Sequence, residues 1–161
     1  MINICLTENL RFALKVNNID VKDYVPAYNG ESAGLDLFNS GDRVTILPQS
    51  VVPKNNKLLI GTGLKMQIPK GYVALIQERG SITKSPLKVR AGVIDSGYTG
   101  EVFVNLINTG SEEHTIDSNT KLPVQVVVVK CDNEFKVVSE EEYLNLSRDS
   151  SRKKGKVGSS D

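Results

Sequence analysis

An all-β fold is predicted by three observations. Apolar residues fall in short segments rich in Val, Ile and Leu, turn-forming residues recur about every ten positions, and only one brief stretch carries a helical pattern. With 161 residues and a hydrophobic fraction of 39%, the chain can fill one core, so a single domain is expected. Strands of this length and spacing fit a β-sandwich, a jelly roll or a small barrel.

In chain order, the predicted strands are RFALKV (11–16), RVTIL (43–47), KLLIGTGLKMQI (57–68), GYVALIQ (71–77), VFVNLIN (102–108), LPVQVVVVK (122–130) and FKVV (135–138). Between them stand Asn29-Gly30, Ser40-Gly41-Asp42, Pro48, Pro69-Lys70-Gly71, Gly97, Thr109-Gly110-Ser111 and Asp132-Asn133, the residues that turns require. SEEEYLNL (139–146) reads as a short helix, with Ser139 as N-cap and glutamates in its first turn. From Ser147 the chain is nearly all Ser, Gly and charge, too polar to order itself by burial. The expected division is a β domain over 1–146 and a flexible basic arm over 147–161.

A balance of 20 Lys and Arg against 19 Asp and Glu gives no global field to attract DNA, RNA or an anionic membrane. Cys5 and Cys131 are too few and too far apart for a zinc site or a disulfide framework. Neither a secretory h-region nor a bilayer-length apolar run is present, and the expected location is the cytoplasm.

Candidate chemistry gathers in a few stretches. In AGVIDSGYTGE (91–101), Asp95 follows a strand and opens a turn, which suits either a turn former or a general base that is ionised at neutral pH. Tyr98 either packs on the sheet or offers its ring to a flat or sugar-like ligand. Gly92, Gly97 and Gly100 permit close approach to the backbone. This stretch is read as a hairpin that walls a pocket. Upstream, Asp36 suits a turn or a hydrated cation. In QERGSITKS (77–85), Arg79 with the small residues Gly80 and Ser81 suits a loop or a phosphate. Gln125 is exposed by alternation or turned towards a ligand. His114 is read as a solvated loop residue. Arg148, Arg152, Lys153, Lys154 and Lys156 form a basic tract whose composition suits a nuclear-type or nucleic-acid-binding segment, while Gly155, Gly158, Ser159 and Ser160 tilt it towards a chain that folds over a polyphosphate.

Taken in order, these pieces resemble the five motifs of the trimeric dUTPases. AGLDL (33–37) is similar to the first, ERGS (78–81) to the second, AGVIDSGYTGE to the third, LPVQ (122–125) to the fourth and RKKGKVGSS (152–160) to the fifth. The resemblance implies a jelly-roll-like β-barrel subunit with a mobile C-terminal arm, assembled as a homotrimer, that hydrolyses dUTP to dUMP and pyrophosphate with Mg²⁺. It implies that Asp95 activates the attacking water and that Tyr98 stacks under the deoxyribose. Uracil would be read by the backbone of Arg90, Ala91, Gly92 and Val93. Arg79, Gly80, Ser81 and Gln125 would hold phosphates, and Asp36 would meet Mg²⁺ through water. Arg152 would neutralise the γ-phosphate, with Val157, Gly158 and Ser159 closing over the nucleotide. This sequence departs from the family pattern at Gly80, where serine is usual, and at Asn119-Thr120-Lys121, where Gly-Asp-Arg is usual. In the arm it has Lys156 for glycine and Val157 for phenylalanine. A dCTP deaminase of the same fold would need a glutamate base. A nucleotide-responsive regulatory protein would need a protein partner.

Overall fold

A computed structural model describes residues 2–24, 31–51, 58–132 and 134–148. Ten strands dominate it: β1 (Asn3–Leu6), β2 (Leu35–Phe38), β3 (Val44–Ile46), β4 (Ile60–Gln67), β5 (Tyr72–Glu78), β6 (Leu87–Arg90), β7 (Val93–Ile94), β8 (Glu101–Asn108), β9 (His114–Ile116) and β10 (Lys121–Lys130). One sheet runs β1-β4-β8-β6, a second runs β2-β10-β5-β7, and β3 pairs with β9 alone. The jelly-roll-like β class expected from the sequence holds, with open sheets that do not close into a barrel. Among the described residues, no helix is long and apolar enough to cross a membrane.

Alternation explains how the sheets close on one core. On β8, Val102, Val104 and Leu106 are buried, and on β10 Leu122, Val124 and Val126 are buried, each set two residues apart and therefore on one face. They join Leu64, Leu37, Ala74 and Ile76 in a single cluster. The opposite face of β10 carries Lys121, Pro123 and Gln125, none of them buried, and this is the face on which the site is built.

Three sequence expectations fail here. RFALKV is not a strand but the body of helix α1 (Glu8–Val16), in which Leu10, Ala13 and Leu14 are buried. The apolar alternation of Phe12, Leu14 and Val16 is overridden by the i, i+3, i+4 set that begins at Leu10. Thr7 caps the helix, its hydroxyl accepting from the Leu10 amide at 3.4 Å. FKVV forms no strand, and Phe135 and Val137 are almost wholly exposed. The third expectation, the hairpin of AGVIDSGYTGE, is corrected below. A second short helix, α2 (Val21–Tyr24), follows α1, and SEEEYLNL forms helix α3 (Glu140–Leu146), capped by the Ser139 hydroxyl as expected.

Candidate active site

The register of the second sheet sets three polar residues side by side. Gln125 on β10 stands opposite Asp36 on β2 and opposite Gln77 on β5. Between Lys121 and Gln125 the β2 register shifts, and Pro123 sits in that irregularity, where its missing N–H costs no ladder bond. Its carbonyl still accepts from the Arg79 amide at 2.9 Å, so the chain beyond β5 stays fastened to β10. Arg79 is thereby held over the sheet, with the 3-10 turn Gly80–Lys84 starting directly after it.

Asp36 is the hub of this face. Its Oδ1 accepts from Arg79 Nε at 2.6 Å and its Oδ2 from Lys121 Nζ at 2.9 Å. Behind it the buried Tyr24 hydroxyl donates to the Asp36 carbonyl at 2.7 Å. Burial first, and then the Asp36 charge, push the Tyr24 phenol well above its ordinary value of 10.0. Gly34 gives Gln125 its room, since a Cβ there would lie 2.5 Å from the Gln125 side-chain oxygen. Gln125 therefore points outward by alternation and lies half-buried along the β2 backbone. Arg79, Ser81 and Lys121 line a cleft of about 440 Å³. His114, expected in a solvated loop, instead lies half-buried on β9 and lines the same cleft.

The stretch around Asp95 differs from the expected hairpin. β6 pairs with β8 in one sheet and β7 pairs with β5 in the other, so Ala91 and Gly92 form a crossing between sheets. Both ends are pinned, Arg90 opposite Asn105 and Val93 opposite Leu75. The reversal between them places Ala91 at φ 52°, a left-handed conformation that costs a non-glycine residue about 1 kcal/mol. Gly92 has no room for a side chain: its carbonyl accepts from the Ile76 amide at 2.7 Å, and a Cβ would lie 2.8 Å from the Ile76 carbonyl oxygen. Glu78 braces the same region by accepting from the Val89 amide at 3.3 Å.

Asp95 opens a tight turn in which the Tyr98 amide donates to the Asp95 carbonyl at 3.0 Å. The Asp95 carboxylate is exposed. The Tyr98 hydroxyl donates to the Glu101 carbonyl at 2.6 Å, which folds the ring back over Gly100. A Cβ on Gly100 would lie 2.7 Å from the Tyr98 hydroxyl oxygen, so that glycine belongs to the tyrosine's seat. Gly92 and Val93 line a separate cleft of about 320 Å³ against β5. Asp95 and Tyr98 line neither that cleft nor the one beside Arg79.

The structure thus brings Asp36, Arg79, Ser81 and Gln125 to one end of the second sheet and leaves Asp95 and Tyr98 on a different turn. Lys121 was missed in the sequence, although alternation from Gln125 through Pro123 would have placed it on the same face. Arg152, Val157, Gly158 and Ser159 lie outside the described residues. Among the described residues, no group of three or more His, Cys, Asp or Glu is arranged to hold a metal ion, and both Asp36 oxygens are already engaged by cations.

The dUTPase family model matches residues 21–161 of this chain. A deoxyuridine 5'-triphosphate nucleotidohydrolase of Clostridium acetobutylicum is 34% identical over 119 residues, covering 71% of this chain and 77% of the relative. One from Chlamydia felis is 33% identical over 139 residues, covering 83% and 90%. Among solved structures, a mutant dUTPase of Staphylococcus aureus phage phi11, described with a structural Mg(II) ion, is 26% identical. It superposes with a TM-score of 0.64 over 88% of this chain and 99% of that one. A mutant dUTPase of Staphylococcus bacteriophage 80alpha, solved with dUpNHpp, superposes with a TM-score of 0.71 at 24% identity over 99% and 98%. With the family match spanning well over half its length, the chain belongs to the dUTPase family.

Proposed function

We propose that this protein hydrolyses dUTP to dUMP and pyrophosphate, at a site in which the cleft beside Arg79 takes the phosphates and the Ala91–Gly92 crossing takes the base. The observation that carries this reading is the junction of Asp36, Arg79 and Gln125 beside a cleft of ligand size, about 440 Å³, in a chain of this family. Its relatives bear the name deoxyuridine 5'-triphosphate nucleotidohydrolase.

In this reading Arg79 offers its terminal N–H groups to phosphate oxygens while its Nε stays on Asp36, since the guanidinium has donors for both. The amides at the start of the turn after Arg79, those of Gly80 and Ser81, have no intrahelical acceptor and can serve the same anion. Backbone groups of Arg90, Ala91, Gly92 and Val93 read the base, because a pinned crossing presents donors and acceptors that a wrong base leaves unpaired. Asp95, whose carboxylate is exposed to solvent, accepts a proton from the attacking water. The Tyr98 ring, seated over Gly100, meets the sugar.

Mg²⁺ would be held chiefly by the oxygens of the bound triphosphate. The described chain offers no cage of its own, and an ion that keeps much of its water shell is served well by phosphate oxygens, whose charge it neutralises. Asp36, whose oxygens rest on Arg79 and Lys121, would be the carboxylate to face that water shell. The protein works as a homotrimer, in which the turn bearing Asp95 and Tyr98 completes the phosphate cleft of a neighbouring copy. Support comes from the separation of the two groups within one chain and from exposed apolar side chains on the strands, Tyr72, Val93 and Phe103 among them. The arm, with Arg152, Val157, Gly158 and Ser159, closes over the bound nucleotide.

Turnover of dUTP with Mg²⁺ should release pyrophosphate and dUMP, followed with dCTP as control. Ammonia released from dCTP, or no pyrophosphate from dUTP, would replace this reading with a deaminase or a binding protein.

A further inference from the structure

Lys121 stands at the boundary of two cavities. One, of about 280 Å³, is lined by Asp20, Asp23, Tyr24 and Asp36 and is acidic; the other is the cleft of about 440 Å³ lined by Arg79 and Ser81. In the described state the ammonium rests on Asp36 Oδ2 at 2.9 Å and 5.7 Å from the centre of the Phe38 ring. The side chain is 38% exposed, so its four-carbon stem is free to turn about its own bonds.

The charges around the larger cleft are uneven. Arg79 and Lys121 share one counterion, Asp36, which does not line the cleft. The cleft's own carboxylate, Asp117, is 3.2 Å from Arg43. Two cations divided over one carboxylate leave an excess of positive charge beside the hydroxyl of Ser81. Arg79 can meet a polyphosphate there as a bidentate fork. Lys121, a point charge on a flexible stem, is then the residue that can change partner.

We propose that Lys121 is a polyphosphate-binding residue, which on arrival of the nucleotide exchanges Asp36 for a phosphoryl oxygen in the cleft and leaves Asp36 to Arg79. The role rests on the phosphate assignment made for the cleft above, but its test does not require turnover. The exchange replaces one charge-assisted bond by another, so the ammonium has an anionic partner before and after it moves.

The probe is inorganic tripolyphosphate, titrated calorimetrically into the full-length protein without nucleotide. Lys121→Met should weaken its Kd roughly tenfold, because a multiply charged phosphate holds the ammonium more strongly than a carboxylate already shared with Arg79, and Lys121→Arg should restore most of it. A merely structural role, in which Lys121 only neutralises Asp36, is separated by repeating the pair in the Asp36→Asn background. There the loss persists at tenfold or more if Lys121 touches phosphate and vanishes if it acts through Asp36. Vanishing of the effect, equal Kd for wild type and Lys121→Met, or no tripolyphosphate binding by the wild type would each overturn the proposal. If dUTP is hydrolysed normally while Lys121→Met changes nothing, this inference alone fails; if tripolyphosphate binds as stated and dUTP is not hydrolysed, the functional reading fails and the binding role stands.

Discussion

At Tyr98 the position of one ring is set by a residue with no side chain. Gly100 leaves space for the tyrosine hydroxyl, which is anchored on the Glu101 carbonyl at 2.6 Å. Gly100→Ala should push the ring from its seat and narrow the preference for dUTP over UTP, read as the ratio of the two kcat/KM values, with an ordinary melting temperature. An unchanged ratio would remove Tyr98 from sugar selection. Tyr24 makes a different kind of prediction. Its folded pKa lies above the unfolded value of 10.0, so the folded state holds this proton more tightly. The stability it contributes is complete below about pH 10 and is lost as the pH rises above it, while the unfolded phenol ionises and the buried one does not. Tyr24→Phe removes that group, so its unfolding free energy should fall less steeply than that of the wild type above pH 10. Parallel slopes in alkaline denaturant titrations would contradict the burial argument.

Elements, more than single residues, decide where the backbone proposed to read the base lies. The crossing from β6 to β7 is fastened to two sheets, and its left-handed Ala91 persists because both flanking strands are paired. Gly92→Ala drives a Cβ against the Ile76 carbonyl, a rigid neighbour. Overpacking of this kind costs about 1–3 kcal/mol, or roughly 2–12 °C in Tm for a chain of this size. Affinity for a dUTP analogue should fall together with stability. A Gly92→Ala protein with native Tm and native affinity would show that the crossing can shift without consequence. The helix α1 carries a related lesson. Six residues, RFALKV, read equally well with a period of two, and the decision came from Thr7 and Leu10, which lie outside that window.

On the scale of the whole molecule, Asp95 and Arg79 sit on different parts of one chain, and the proposed trimer brings them together between copies. Asp95→Asn should lower kcat by about 10²–10⁴ if it removes a general base, and Arg79→Ala should cripple phosphate binding. Co-refolding the two inactive variants should then regain turnover, because some mixed sites combine an intact Arg79 with an intact Asp95. No recovery from mixed assemblies confirmed by mass would show that each site is built within one chain. The arm is tested by deletion. Every buried hydrophobic residue described lies between Leu6 and Val126, so removing 149–161 should leave Tm almost unchanged while, if the arm covers the nucleotide as proposed, kcat collapses with the loss of Arg152. Normal turnover by the truncated protein would reduce the arm to a basic appendage.

Alternation along β4, β5, β8 and β10 was legible in the sequence because a strand with one buried face must place its apolar residues two apart, and no later packing alters that period. The turn at Asp95, the cap at Ser139 and each separate motif that resembles the dUTPases were legible for a similar reason: each depends on residues close together in the chain. Tertiary structure alone decided what depends on distant partners. Asp36 acquires Arg79 and Lys121 only when β2, β5 and β10 come into register, and the stretch after Arg90 became a crossing rather than a hairpin because β8 and β5 each claimed one of its strands. FKVV kept the composition of a strand and found no partner for its backbone among the described residues, and a lone strand leaves its hydrogen bonds to water.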